Sequence, residues 1–257
     1  MSSDYGYFKE KILALTGFDL HSYKEKQIRR RLGTLMQSLG VDNFRAYYEI
    51  LKKEPQHLER FFQRATINVS EFFRNPERFR ELQETHLPAL LARKGRPRVW
   101  SAGTSTGEEA YTLAIILSEL IPHYSGIILA TDVDQEALQF AQEGIYPPGR
   151  LRHLPPGHLE KYFLAAGENY QIKDKIKSRV RFKRHDLLRG PFGRGFDLIL
   201  CRNVVIYFTE EAKDKIYRGF TQALNPGGIL FTGATEQIFA SRDLGLINLS
   251  PFFYQKN

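Results

Sequence analysis

Cysteine occurs once in the 257 residues, at Cys201, so neither an intramolecular disulfide nor a cysteine-built zinc site can form. That usage suits a reducing compartment, and a cytoplasmic location is expected. Long apolar runs are also missing. No stretch approaches the roughly 18 uninterrupted apolar residues of a membrane helix, and the opening MSSDYGYFKE has no basic segment leading into an apolar core. A soluble, unexported protein without membrane insertion is the expectation. Strand-like alternation is absent before Arg98, internal repeats and low-complexity tracts are lacking, and no His pair stands at metal-ligand spacing, so no metal is expected.

With 42% hydrophobic and 26% charged residues, the composition is that of an ordinary globular protein. The length suits one sizeable domain and a smaller companion. Residues 4–65 read as helical throughout. Phe8, Ile12 and Leu15, then Ile28, Leu32, Leu35, Met36 and Leu39, recur at three- and four-residue spacing, with Gly17 and Gly40 as breaks and Asp19, Asp42 and Pro55 at helix starts. Three or four short helices follow from this, and residues 1–70 are expected to form a separate all-α domain. A further helix over 76–94 is opened by Pro76, interrupted near Pro88 and ended by Gly95 and Pro97.

From Arg98 the texture alternates. Strand-like runs at 98–102, 126–133, 196–203 and 227–234 are separated by helical patterns at 107–121, 134–142 and 209–224. Such alternation predicts an α/β domain over 71–257, its parallel sheet covered on both faces. The tail, 245–250 and 252–256 around Pro251, predicts a short antiparallel pair at one edge. Residues 144–186 are too long for a plain connection and predict a small inserted subdomain over about 144–180, with a hairpin near 170–175 and another strand at 179–186.

The stretch RVWSAGTSTGEE at 98–109 joins a strand to a helix through a loop in which Gly103 and Gly107 present no side chain to hold off a ligand. It is not the G-x-G-x-x-G of dinucleotide enzymes, and no G-K-[ST] follows it. Glu108 and Glu109 would repel a pyrophosphate and suit a ligand bearing an ammonium or sulfonium cation, or serve as acids in a first helical turn. Asp132 ends the next strand, where folds of this class hold a ribose. Asp134 competes for that task, but its place directly before a helix suits an N-cap. A glycine loop, an acid at the next strand end and no pyrophosphate feature suggest S-adenosylmethionine.

Four blocks in this order resemble the CheR family of chemoreceptor glutamate methyltransferases: TINVSEFFRNPERF at 66–79, VWSAGTSTGEEAYTLA at 99–114, ATDVD at 130–134 and FDLILCRNVVIYF at 196–208. The resemblance covers nearly the whole chain. It implies a Rossmann-like class I S-adenosylmethionine-dependent methyltransferase domain behind an N-terminal all-α domain, with a small inserted β subdomain. The implied reaction carries the methyl group of S-adenosylmethionine to glutamate side chains, leaving S-adenosylhomocysteine. Position by position, Asn68, Ser70 and Arg74 would contact the cofactor, Ser70 standing where a Thr is common. Gly103 belongs to the cofactor loop, Glu109 would bind the methionine end or organise that loop, and Asp132 would take the ribose. Asp186, where Asn is frequent, and Leu187 would lie beside the adenine. Arg202, Asn203 and Tyr207 would line the methyl-transfer site, with Arg202 and the Tyr207 hydroxyl sharing the incoming carboxylate. Taken singly, Asn68 and Ser70 also suit a turn or cap, Arg74 a pair with Glu77, and Tyr207 packing beside Phe208. Cys201 reads as a small buried hydrophobe, Trp100 as core and His185 as a surface residue.

The formal charge of +8 favours an acidic partner. Lys24, Lys26, Arg29, Arg30 and Arg31 would steer the chain towards Glu-rich helices in the cytoplasmic domain of methyl-accepting chemoreceptors. The further arginines typical of the family one turn on are replaced by Thr34, Leu35 and Gln37. Nucleic acid would answer the charge as well, but CRNVVIYF stands where a D/N-P-P-Y/F motif would be, and Cys201 follows Leu200 rather than a proline. No nucleic-acid partner is expected. A cofactor-binding adaptor is disfavoured by the retention of Arg202, Asn203 and Tyr207, and a monomer is expected.

Overall fold

The structure, a computed structural model, describes residues 3–66, 68, 70–121 and 123–257. It forms two compact units, one of residues 1–67 with 205–216 and one of 68–204 with 217–257. The first is helical: α1 (Asp4–Thr16), α2 (Glu25–Ser38), α3 (Phe44–Lys53) and α4 (Pro55–Ala65). Ser3 caps α1 by accepting the Gly6 N–H, and Gly17, at φ +77°, closes it. The cap of α3 is Asn43, one residue beyond the expected Asp42, while Asp19 caps a short 3₁₀ turn at Leu20–Ser22. Asp4 also accepts the Phe44 and Arg45 N–H groups and so ties α1 to the start of α3. Phe8 lies at the centre, its ring 5.1 Å from Phe44, 5.6 Å from Tyr47 and 6.1 Å from Phe61. These are the offset and edge-on separations at which aromatic pairs attract.

The segment 205–216 joins this unit through an antiparallel bridge between Tyr23 and Phe208. The Lys24 N–H donates to the Tyr207 carbonyl at 2.9 Å and the Thr209 N–H to the Ser22 carbonyl at 2.9 Å.

In the second unit α5 (Pro76–Glu81) and α6 (Leu87–Lys94) are separated by a π turn at Leu82–His86, which admits Pro88 into the first turn of α6. There follow β1 (Val99–Ala102), α7 (Glu108–Leu120), β2 (Ile128–Asp132), α8 (Gln135–Glu143), β3 (Ile145–Tyr146), α9 (His158–Tyr162), β4 (Phe163–Ala166), β5 (Asn169–Ile172), α10 (Asp174–Lys177), β6 (Val180–Arg184), β7 (Phe196–Cys201), α11 (Glu210–Ala223), β8 (Leu224–Thr232), β9 (Leu246–Ser250) and β10 (Phe253–Lys256). The main sheet runs β6-β2-β1-β7-β8-β10-β9. The first five strands are mutually parallel, and β10 and β9 form the antiparallel edge that the tail predicted. Every residue of β1 and β7 is buried, as is the run Ala110–Leu117 of α7, which explains why these segments are mostly apolar. The inserted β3, β5 and β4 form a separate antiparallel sheet. Among the described residues no helix is long and apolar enough to cross a membrane.

Candidate functional site

Successive strands step away from β1 in one direction through β2 and β6, and in the other through β7 and β8, so the sheet changes winding direction between β1 and β7. In open α/β sheets the crevice outside the carboxyl ends of the strands at such a point is where ligands bind. The loops that flank it are 103–107 and 202–204.

The first loop is held down by its neighbours. The Gly103 and Thr104 N–H groups donate to the Thr131 carbonyl at 2.8 and 2.9 Å, and the Ser105 N–H donates to Asp132 Oδ2 at 2.8 Å. Gly103 sits at φ +75°, and a Cβ there would stand 2.4 Å from Val204 Cγ2, so the glycine admits the opposite loop as well as the turn. The two acids after it diverge. Glu108 is fully buried, takes the Thr106 hydroxyl and faces Arg150 at 3.4 Å, with the Ser70 hydroxyl also bonding it. Glu109 accepts from the Ser101 hydroxyl at 2.9 Å and pairs with Arg202 at 3.5 Å. Burial raises the pKa of both carboxyls, opposed at Glu109 first by Arg202.

Asp132 holds the corner between β2 and α8, accepting the Asp134 N–H at 3.0 Å besides that of Ser105. Burial pushes its pKa up to about 6 against these backbone donors. Asp134 caps α8 by accepting the Glu136 and Ala137 N–H groups, and its second oxygen takes the Asn68 amide at 2.7 Å. Asn68 Oδ1 in turn accepts the Ser105 hydroxyl at 2.9 Å, so Asn68 spans the two motifs. Arg150, from the inserted region, donates to the carbonyls of Ser70 and, at 3.3 Å, Asn68. Asp186 and Leu187 come to the same end of the sheet, because the His185 N–H donates to the Asp132 carbonyl at 2.8 Å. Leu187 is buried, and Asp186 accepts the Leu188 N–H.

Arg202 is held more tightly than its expected exchange with a substrate would require. Its side chain is 2% exposed and lies between the rings of Phe79 and Phe231, at 4.9 and 4.7 Å. One Nη donates to the Arg74 carbonyl and to Asn75 Oδ1, both at 2.9 Å. Phe73 and Asn75 have φ of +52° and +61°, so this grip holds a backbone that non-glycine residues rarely adopt. Tyr207 belongs to the helical unit. There the Arg31 guanidinium covers its ring at 4.8 Å, and Lys26, Gln27, Arg30, Arg31 and Tyr207 line a groove of about 700 Å³.

Two participants escaped the sequence reading. Arg150 is one basic residue in a Pro- and Gly-rich insertion, with no local signal. Glu236 is buried beyond β8, and only the tight Gly233–Glu236 turn marks it.

S-adenosylmethionine fits this crevice. Thr104 Oγ1 and Asn203 Oδ1 are buried without a partner, the carboxylate of Asp132 stands at the end of β2, and that of Glu109 lies in the first turn of α7. Acceptors and acids suit ribose hydroxyls, an ammonium and a sulfonium.

Comparison with known proteins places these residues within two family descriptions. "CheR methyltransferase, all-alpha domain" matches residues 3–66, and "CheR methyltransferase, SAM binding domain" matches 68–250. A chemotaxis protein methyltransferase of Listeria monocytogenes is 41% identical over 100% of this chain and 98% of its own. One of Borreliella burgdorferi is 34% identical over 94% and 89%, and one of Salmonella typhimurium 34% identical over 86% and 78%.

Proposed function

Because the chain belongs to the CheR methyltransferase family, an S-adenosylmethionine-dependent group of chemotaxis proteins, we propose that it methylates glutamate side chains in the cytoplasmic domains of methyl-accepting chemoreceptors. The observation that carries this reading is similarity to chemotaxis protein methyltransferases along the whole chain, both domains included. The groove lined by Lys26, Arg30, Arg31 and Tyr207 supports it, since cations around an aromatic ring suit a Glu-rich helix.

When bound, the cofactor supplies an electrophilic methyl group on a sulfonium. A substrate glutamate, with a pKa of about 4.3, is already ionised at neutral pH, so no residue of this chain has to remove a proton. The work left is to bind, orient and exclude water. Asp132 would accept the ribose hydroxyls, Asp186 and Leu187 would flank the adenine, and Asn68, Ser70 and Arg74 would close the crevice. Glu109 would favour the cationic end. Arg202 keeps the Arg74–Asn75 turn and Glu109 in register, and Nε is the donor it has left for a carboxylate. Tyr207 would meet the substrate from the basic groove.

The test is to incubate the protein with methyl-labelled S-adenosylmethionine and receptor cytoplasmic fragments. Label released as methanol by base, and lost when the fragment's glutamates become alanine, is expected. Base-stable label, or label only on nucleic acid, would overturn the proposal.

A further inference from the structure

Glu236 has no place in the mechanism above, yet the residue is 4% exposed and its carboxylate is bound by three backbone N–H groups. Oε2 accepts the N–H of Asn203 at 2.6 Å and of Gly233 at 2.7 Å, and Oε1 accepts the N–H of Val204 at 2.8 Å. The Glu236 N–H closes its own turn onto the Gly233 carbonyl at 2.9 Å. No residue but glycine fits at 233, where a Cβ would lie 2.4 Å from Glu236 Oε2 and 2.7 Å from the Asn203 nitrogen. Convergent N–H groups around one anion make a rigid corner.

The residues so held are those that shape the crevice. Asn203 is kept at φ +61°, and its Oδ1 is buried without a partner. Val204 then fills the space that the missing Cβ of Gly103 leaves, so the same carboxylate governs the loops on both sides of the point where the sheet changes direction. Glu236 also lies close enough to raise the pKa of Glu109.

We propose that Glu236 is a positioning residue for S-adenosylmethionine: by clamping the Asn203–Val204 backbone it aims Asn203 Oδ1, as an acceptor for the cofactor's N–H or O–H donors. The inference rests on reading the crevice as the cofactor site.

The test is a binding cycle with S-adenosylhomocysteine, read by calorimetry without any methyl transfer. The wild-type chain, Glu236→Gln, Asn203→Ala and the double variant are compared. The Gln side chain loses one acceptor and turns an N–H group towards backbone donors, so affinity is expected to fall about tenfold. In the Asn203→Ala background the same change should cost less than about twofold, because the group being aimed is gone. A residue that merely braced the fold would weaken both backgrounds equally, and equal losses would overturn the inference. So would unchanged affinity in Glu236→Gln. Should that variant not fold, Glu236→Asp, which keeps the charge but is one methylene too short to hold all three N–H groups, takes its place with the same expected split. A wild-type chain that does not bind S-adenosylhomocysteine would instead refute the reading of the crevice itself.

Discussion

Replacing Arg202 with Met keeps an unbranched side chain between Phe79 and Phe231 but removes the cation facing Glu109. The Glu109 carboxylate then keeps the Ser101 hydroxyl as its hydrogen-bond partner and has no cation to balance its burial. Breaking a buried ion pair from one side costs about 3–5 kcal/mol, because the stranded charge stays desolvated. The Arg74 carbonyl and Asn75 Oδ1 lose their donor in the same step, so a loss near the top of that range is expected. Adding Glu109→Gln removes the stranded charge and should restore about 1–3 kcal/mol of it. The sign of the pH dependence follows from Glu109. Its pKa is raised in the folded chain, so stability is greatest below the unfolded value and is lost as the pH rises through the folded one. Arg202→Met should steepen that loss, and Glu109→Gln should abolish it. Urea unfolding followed by the fluorescence of Trp100, the single tryptophan and a buried residue of β1, reads this unit directly. A cost below about 1 kcal/mol, or strictly additive single and double variants, would refute the claim that the pair is a structural tie.

Asp132, with its pKa raised to about 6, contributes most to stability below its unfolded value of 3.8 and loses that contribution as the pH rises through 6. S-adenosylhomocysteine affinity should move the other way, rising through about pH 6 as the carboxylate ionises to accept the ribose hydroxyls. Calorimetry of Asp132→Asn should then show a weak, flat profile, and an unchanged one would remove Asp132 from the site. Gly103→Ala and Gly40→Ala both place a side chain at positive φ, but only the first meets Val204 at 2.4 Å, whereas Gly40 has open space. Thermal melts should show a modest loss of about 1 kcal/mol at Gly40 and a clearly larger one at Gly103, accompanied by lost cofactor binding. Equal losses would mean that φ alone sets the glycine at 103.

The four inner parallel strands were legible because burial on both faces leaves a mostly apolar run, and the edge pair because Pro251 divides the tail. Motifs whose members are close in sequence could be read as well. Asp134 shows why: a side chain that caps the helix it precedes reveals itself in its neighbours. Glu236, Arg150 and the enclosure of Arg202 could not be read, since each depends on groups brought from distant segments. The insertion illustrates the same limit. Its hairpin strand β5 was marked by YQIK, but β3 and β4 are too short and too mixed in composition to show a period.

The chain passes between its two units three times, at 67/68, 204/205 and 216/217. Removing the first 67 residues would therefore not release an intact catalytic fragment. The segment 205–216 would keep its covalent place but lose the Tyr23 strand partner and the Ser22 carbonyl, leaving Phe208 without the ring 4.7 Å away. A protease nick near residue 67 should accordingly leave the two pieces associated, and a gene dissected there should yield an insoluble C-terminal product that the helical piece rescues when both are made together.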